Sequence, residues 1–186
     1  MKLSDRYSYE VLCEDAQTRC FIYEFLKCQG INRHKIRIDM SPAGQICGSQ
    51  YVAQKYPEKV REFFSKNYNN IVLIVCTDAD DMSVEGRVQF VENNAKDIVY
   101  DRQNELIIIW IPRRQIENWI HYWREGTDED RVFRHSGKPE KCKNEAELMA
   151  DYLSGNTVVE VALPSIEHAK KEFERVCGLL EKAGRG

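Results

Sequence analysis

Ile71-Val72-Leu73-Ile74-Val75-Cys76-Thr77-Asp78-Ala79-Asp80-Asp81 is the stretch on which the fold turns. Its first six residues are apolar without alternation, the pattern of a strand covered on both faces, as in the middle of a parallel sheet. The run then breaks directly into acids, with Asp78, Asp80 and Asp81 within four positions. Working outward, Tyr7–Cys13 has a β-rich composition and ends in Glu14-Asp15. Arg19–Gln29 brings Cys20, Tyr23, Phe25 and Leu26 near helical spacing, and Gly30 follows as a helix stop. Lys35–Met40 alternates Ile36 and Ile38 with Arg37 and Asp39, which predicts a half-buried strand. Ser49–Lys66 predicts a helix interrupted at Pro57, which can open a second helix at its first turn.

On the other side of the central stretch, Val84–Asn94 predicts a helix, and Glu105–Ile111 a second fully buried strand stopped by Pro112. Arg114–Trp123 places Ile116, Trp119, Ile120 and Trp123 on one helical face. A polar loop spans about 125–144, followed by a short helix over Glu145–Leu153. The C-terminal helix, at about 165–182, carries Ile166, Ala169, Phe173, Val176, Cys177 and Leu180 as its apolar stripe, with Ser165 as the expected cap. Strands alternating with helices predict an α/β fold, a three-layer sandwich around a mainly parallel central sheet. A length of 186 residues fits one domain over the whole chain.

Composition narrows the function classes. Hydrophobic residues make up 42% and charged residues 31%, an ordinary globular balance that argues against disorder. Lys and Arg number 27 against 30 Asp and Glu, a net charge of −3, which excludes a uniformly basic nucleic-acid coat but not a local basic patch. The longest apolar runs fall far short of the roughly 20 residues of a membrane span. Met1–Tyr7 has no apolar signal region, so a cytoplasmic protein is expected. Seven cysteines without a CxxC pair point to free thiols in a reducing compartment.

In open parallel sheets, ligands bind beyond the carboxyl ends of the strands. Glu14 and Asp15 follow the first strand; Asp78, Asp80 and Asp81 follow the third. Asp is also a good turn and N-cap residue, so each acid taken singly has a purely structural explanation. Taken together, these acids cannot sit ionised side by side without compensation, because like charges raise each other's pKa. A divalent cation supplies that compensation, and hard oxygen ligands select Mg²⁺ or Mn²⁺. Asp-x-Asp in extended backbone puts Asp78 and Asp80 on one side.

A Glu after the first strand and Asp-x-Asp after the third, here Val11-Leu12-Cys13-Glu14-Asp15 and Ile74-Val75-Cys76-Thr77-Asp78-Ala79-Asp80, resembles the Toprim signature. Toprim domains occur in topoisomerases, bacterial primases, recombination-mediator proteins, a 5S-rRNA maturation nuclease and OLD-family nucleases. The loop with Pro42, Gly44 and Gly48, the segment Tyr56-Pro57-Glu58-Lys59-Val60, and Pro112-x-x-x-Ile116-Glu117-x-Trp119 are similar to small stand-alone bacterial Toprim-like proteins, often linked to phage defence or mobile elements. The resemblance implies metal-dependent phosphoryl transfer on nucleic acid. Glu14, Asp78 and Asp80 would be catalytic and, with Asp81, would hold Mg²⁺. It further implies a supporting role for Glu117 and leaves room for a partner ATPase or homo-oligomer. Many Toprim domains carry Gly where Asp15 stands, which makes Asp15 an additional candidate ligand. No Tyr matches a topoisomerase nucleophile.

Arg113 and Arg114 follow the last strand, so they are expected near the same edge. Arg131, Arg134, Lys138, Lys141 and Lys143 give a local positive excess, with His135 as a further donor and the acids Glu125 and Asp128–Asp130 just before. This charge separation makes Arg131, Arg134, His135, Lys138 and Lys143 the candidate nucleic-acid contacts; a solvated, charge-balanced loop is the alternative. Glu117 and His121 are spaced as a helix-surface pair, the alternative to an auxiliary active-site Glu. Two other functions fit parts of the pattern. One is a non-catalytic Toprim-like module binding nucleic acid or a protein partner. The other is a phosphoacceptor receiver, which the long stretch between Asp15 and Asp78 disfavours.

Overall fold

The structure is a computed structural model, described here for residues 1–42, 47–65, 70–126, 128–133 and 138–184. Strands β1 (Ser8–Cys13), β2 (Ile36–Met40), β3 (Ile71–Cys76) and β4 (Ile107–Trp110) form one sheet in the order β2-β1-β3-β4. Every neighbouring pair is parallel, with Val11 opposite both Ile38 and Ile74, and Ile74 opposite Ile108. The mainly parallel sheet expected from the sequence is thus parallel throughout.

The alternation along each strand divides the core in two. Val11, Cys13, Ile74, Cys76, Ile108 and Trp110 point to one face, where α1 (Ala16–Cys28), α4 (Ile116–Glu125), α5 (Lys143–Ser154) and α6 (Pro164–Ala183) pack. Leu12, Leu73, Val75, Ile107 and Ile109 point to the other, covered by α2 (Gly48–Ser65) and α3 (Val84–Asn93). Both faces are covered, which is why β3 and β4 read as unbroken apolar runs. On the first face Phe25 meets Trp110 edge-on at 5.0 Å and Trp110 meets Trp119 at 6.1 Å. Trp119 and Trp110 donate their indole N–H to Ser165 Oγ (2.8 Å) and the Ala169 carbonyl (3.1 Å).

Two helix ends differ from expectation. Pro57 lies inside a continuous α2 instead of opening a second helix. Pro gives up the N–H that would bond one turn back and its ring crowds the carbonyl there, but Tyr51, Val52, Tyr56 and Val60 bury one face on both sides of it. Ser165 does not cap α6; Leu163 is the N-cap and Pro164 takes the first turn, where its missing N–H costs nothing. The Ser165 hydroxyl instead serves Trp119.

The β4 edge of the sheet is closed by side chains of α6. Arg175 donates to the carbonyls of Arg102 (2.9 Å), Glu105 (2.8 Å) and Ile107, while Glu172 Oε2 accepts from Ile109 N (3.4 Å). Glu172 also binds Arg102 and Arg175, and Arg102 reaches Glu92. Among the described residues no helix is long and apolar enough to cross a membrane.

Candidate active site

Glu14 and Asp78 leave the carboxyl ends of the two adjacent central strands β1 and β3, whose last residues, Cys13 and Cys76, are in register. Parallel pairing therefore brings together two positions 64 apart in sequence. Glu14 Oε1 accepts from the Thr77 hydroxyl and from Asp78 N at 2.8 Å. The backbone around it is fixed by β4, since Thr77 N donates to the Trp110 carbonyl (3.2 Å) and Ala79 N to the Pro112 carbonyl (2.8 Å).

Burial dominates the electrostatics. The Glu14 carboxyl is pushed up to about 7, first by burial, then by the charges of Asp80 and Asp15, against the opposing hydrogen bonds from Thr77 and Asp78. Asp78 is only 9% exposed and its Oδ1 has no hydrogen-bond partner among the described residues. Its carboxyl lies well above the ordinary range because of burial, with Glu14, Asp15, Glu117 and Asp80 adding repulsion in that order. The anionic form of Asp78 thus lacks compensation, and that of Glu14 has only the two hydrogen bonds from Thr77 and Asp78.

The remaining acids divide by partner. Asp15 is the N-cap of α1, accepting from Thr18 N at 2.8 Å, so one of its oxygens serves the helix. Asp80 adopts φ +55°, a left-handed conformation that Asp tolerates better than most residues. Its carboxylate pairs with the buried Arg87 of α3 at 2.8 Å, and Arg87 also holds the Ala79 carbonyl at 3.1 Å. Asp81 is nearly fully exposed and pairs with Arg114 at 2.6 Å. Glu117 is 6% exposed, a buried position and not a helix-surface one. His121 instead faces Glu125 and Glu140 and stacks on Phe133 at 4.1 Å. Among the described residues no three His, Cys, Asp or Glu side chains form a group that could hold a metal ion.

Arg113 and Arg114 do lie at this edge, but as clamps on the acidic loop. Arg113 donates to the carbonyls of Asp80 (2.9 Å) and Met82 (2.7 Å), and Arg114 to the Asp80 carbonyl (3.1 Å). Both also approach Asp130. The acids before the basic segment are engaged as well: Glu129 accepts from the backbone Ser165 N at 2.6 Å, and Glu125 pairs with Arg131 of the basic segment itself at 3.0 Å. Arg131 also lies over the Phe133 ring. Lys138 is exposed. Lys143 sits apart, beside Glu24, Lys27 and Glu147 in the groove between α1 and α5. Arg134 and His135 lie outside the described residues, as does Gly44.

Two contributors, Thr77 and Arg87, have no role in the sequence reading, and Gly48 figures there only as a loop residue. Thr77 is the hydroxyl directly before Asp78, and Arg87 stands two turns after Asp80, both visible once the strand and helix are placed. Gly48, at the start of α2, presses on Glu14. A Cβ there would come 2.7 Å from Glu14 Cβ and 2.8 Å from its Oε2. Nothing local in the sequence marks that contact, because it joins two distant segments.

In comparisons with known proteins, the chain matches no family model, no curated protein and no solved structure.

Proposed function

We propose that this protein is a metal-dependent phosphoryl-transfer enzyme of Toprim-like design, a nuclease acting on DNA or RNA phosphodiesters. The observation that carries the reading is the Glu14–Asp78 pair: two carboxyls raised by burial at the carboxyl edge of adjacent parallel strands, with Asp78 Oδ1 unpartnered among the described residues. Such a pair fits Mg²⁺ or Mn²⁺. Mg²⁺ is commonly held by one or two carboxylates, with waters and substrate phosphates completing its shell. When bound, the ion would supply charge neutralisation for a phosphodiester under attack.

The chain's own residues have separable tasks in this reading. Asp78 and Glu14 hold the cation. Burial raises the Glu14 carboxyl to about 7, and a bound dication would hold it as the carboxylate that a ligand must be. Thr77 orients Glu14, and Arg87 with Arg113 and Arg114 fixes the Asp80–Asp81 loop.

The engagement of Arg113 and Arg114 by backbone carbonyls favours a second reading, a non-catalytic Toprim-like module. Cleavage assays on labelled DNA and RNA with Mg²⁺ or Mn²⁺ separate the two. Metal-dependent cleavage that falls at least about 100-fold in Asp78→Asn is the expected result, comparable to losing a transition-state charge stabiliser. Metal binding without cleavage of any nucleic acid supports the module, and absence of both overturns the metal-site reading.

A further inference from the structure

The two edges of the sheet are treated differently. At β4, Arg175 and Glu172 of α6 occupy the outward-facing backbone groups of Ile107 and Ile109. At β2 nothing comparable is present among the described residues. Ser41 N donates inward to the Cys13 carbonyl, so by strand alternation the backbone groups of Asp39 and Arg37 also face β1. Those of Ile38 and Met40 then face outward, and no hydrogen bond engages them among the described residues. Every residue of β2 keeps some exposure, whereas every residue of β4 is buried. An uncovered edge is a template for another strand.

We infer that β2 is a dimerisation edge on which a second copy of this chain docks its own β2 antiparallel, giving one continuous eight-stranded sheet across a two-fold axis at Ile38. The strand's sequence is self-complementary in that register. Ile38 faces Ile38 of the other copy in a hydrogen-bonded pair, flanked by Ile36 and Met40. Arg37 and Asp39 then meet the other copy's Asp39 and Arg37 in the closer, non-hydrogen-bonded positions, where opposite charges attract across strands. Arg37 is exposed and makes no ion pair among the described residues. Asp39 is held as a carboxylate by Tyr51 (2.6 Å) and Lys59 (3.0 Å). A groove of about 570 Å³ runs along this edge, lined by Glu10, Arg19, Arg37, Asp39, Lys59 and Glu62. Its three cations and three acids match a surface of the same mixed charge and offer little to a uniformly anionic polymer.

Sedimentation velocity of the full chain over about 1–100 μM provides the test. The wild type is expected to reach twice the mass of one chain. Arg37→Asp should raise the dimer dissociation constant at least about tenfold, by setting like charges opposite each other. Combining it with Asp39→Arg should recover most of that loss, since the swapped pair is again complementary. Ile38→Pro removes an outward N–H that the β1 ladder does not use, and should give a monomer whose far-UV circular dichroism matches wild type. If Ile38→Pro fails to fold, the charge-swap pair still decides. A wild type that stays monomeric to 100 μM, or a dimer indifferent to both the reversal and the swap, overturns the inference. Capture of an unrelated extended peptide at β2 by a monomeric wild type overturns it equally, in favour of a partner strand.

Discussion

Glu14 shares a pH signature with Asp78, whose raised carboxyl it repels. Its carboxyl is raised to about 7 in the fold, against roughly 4.5 for an unburied Glu. The folded state therefore binds more protons between those values, and stability falls as pH rises through that window. The contribution is fully present below about 4.5 and lost above about 7, an effect on the order of 3 kcal/mol. Melting curves of the wild type should drop from pH 5 to pH 8, and Glu14→Gln, which has no charge to bury, should flatten the profile. An equally steep profile in Glu14→Gln would assign the dependence to another group, with Asp78 the first suspect. Gly48 makes a second residue-scale prediction. Gly48→Ala drives a methyl against Glu14 Cβ, a contact with no flexible end to yield, and should cost about 1–3 kcal/mol by urea titration. A neutral outcome would mean that α2 shifts freely, and Glu14 would not be held in place by it.

At the level of elements, the strands were legible in the sequence because burial on both faces leaves unbroken apolar runs at Ile71–Cys76 and Ile107–Trp110. The acids after β1 and β3 were legible for the same reason, since each stands where an apolar run ends. What the sequence concealed is partner choice. Asp80 and Asp81 share a motif with Asp78, yet arginines from α3 and the β4–α4 loop engage them, and such contacts have no local trace. Glu117 was open between surface and site because a single Glu on an amphipathic helix carries no depth information. The seam between α6 and β4 is a further case, invisible in sequence and open to test. The Glu172 carboxyl lies below its ordinary range: burial alone would raise it, and Arg102 and Arg175 outweigh that. A depressed carboxylate stabilises the fold above its unfolded pKa, and that stability is lost as pH falls through the folded value. Arg102→Met removes one buried partner and should cost about 3 kcal/mol at pH 7. It should also weaken the acid-induced loss of stability below pH 4.5, because less of the Glu172 depression survives. An unchanged acid limb would show that Arg175 alone holds Glu172.

For the whole molecule, the two cores share one sheet, and the site ties the two central strands at their carboxyl ends. All three tryptophans belong to the core formed with α1, α4, α5 and α6, whereas Tyr56 and Tyr100 hydrogen-bond in the other. Tryptophan fluorescence thus reports one face and far-UV circular dichroism reports both. A chain of this length with a shared sheet should unfold in one cooperative step, so the two transitions should coincide. On the proposed function, a cation bound by Glu14 and Asp78 would stabilise the folded state by mass action, about 2.7 kcal/mol at a hundredfold excess over its dissociation constant. For a domain of this size that corresponds to roughly 5–10 °C in melting temperature. Mg²⁺ or Mn²⁺ should move both probes together by that amount at pH 8, where the carboxyls are most in need of compensation. Asp78→Asn keeps the side-chain shape, removes one buried charge, and should melt higher than wild type without metal while losing most of the metal-induced shift. If Asp78→Asn gained as much from the ion as the wild type, the cation would bind elsewhere. The buried pair would then be a strained structural feature of the sheet edge, not a metal site.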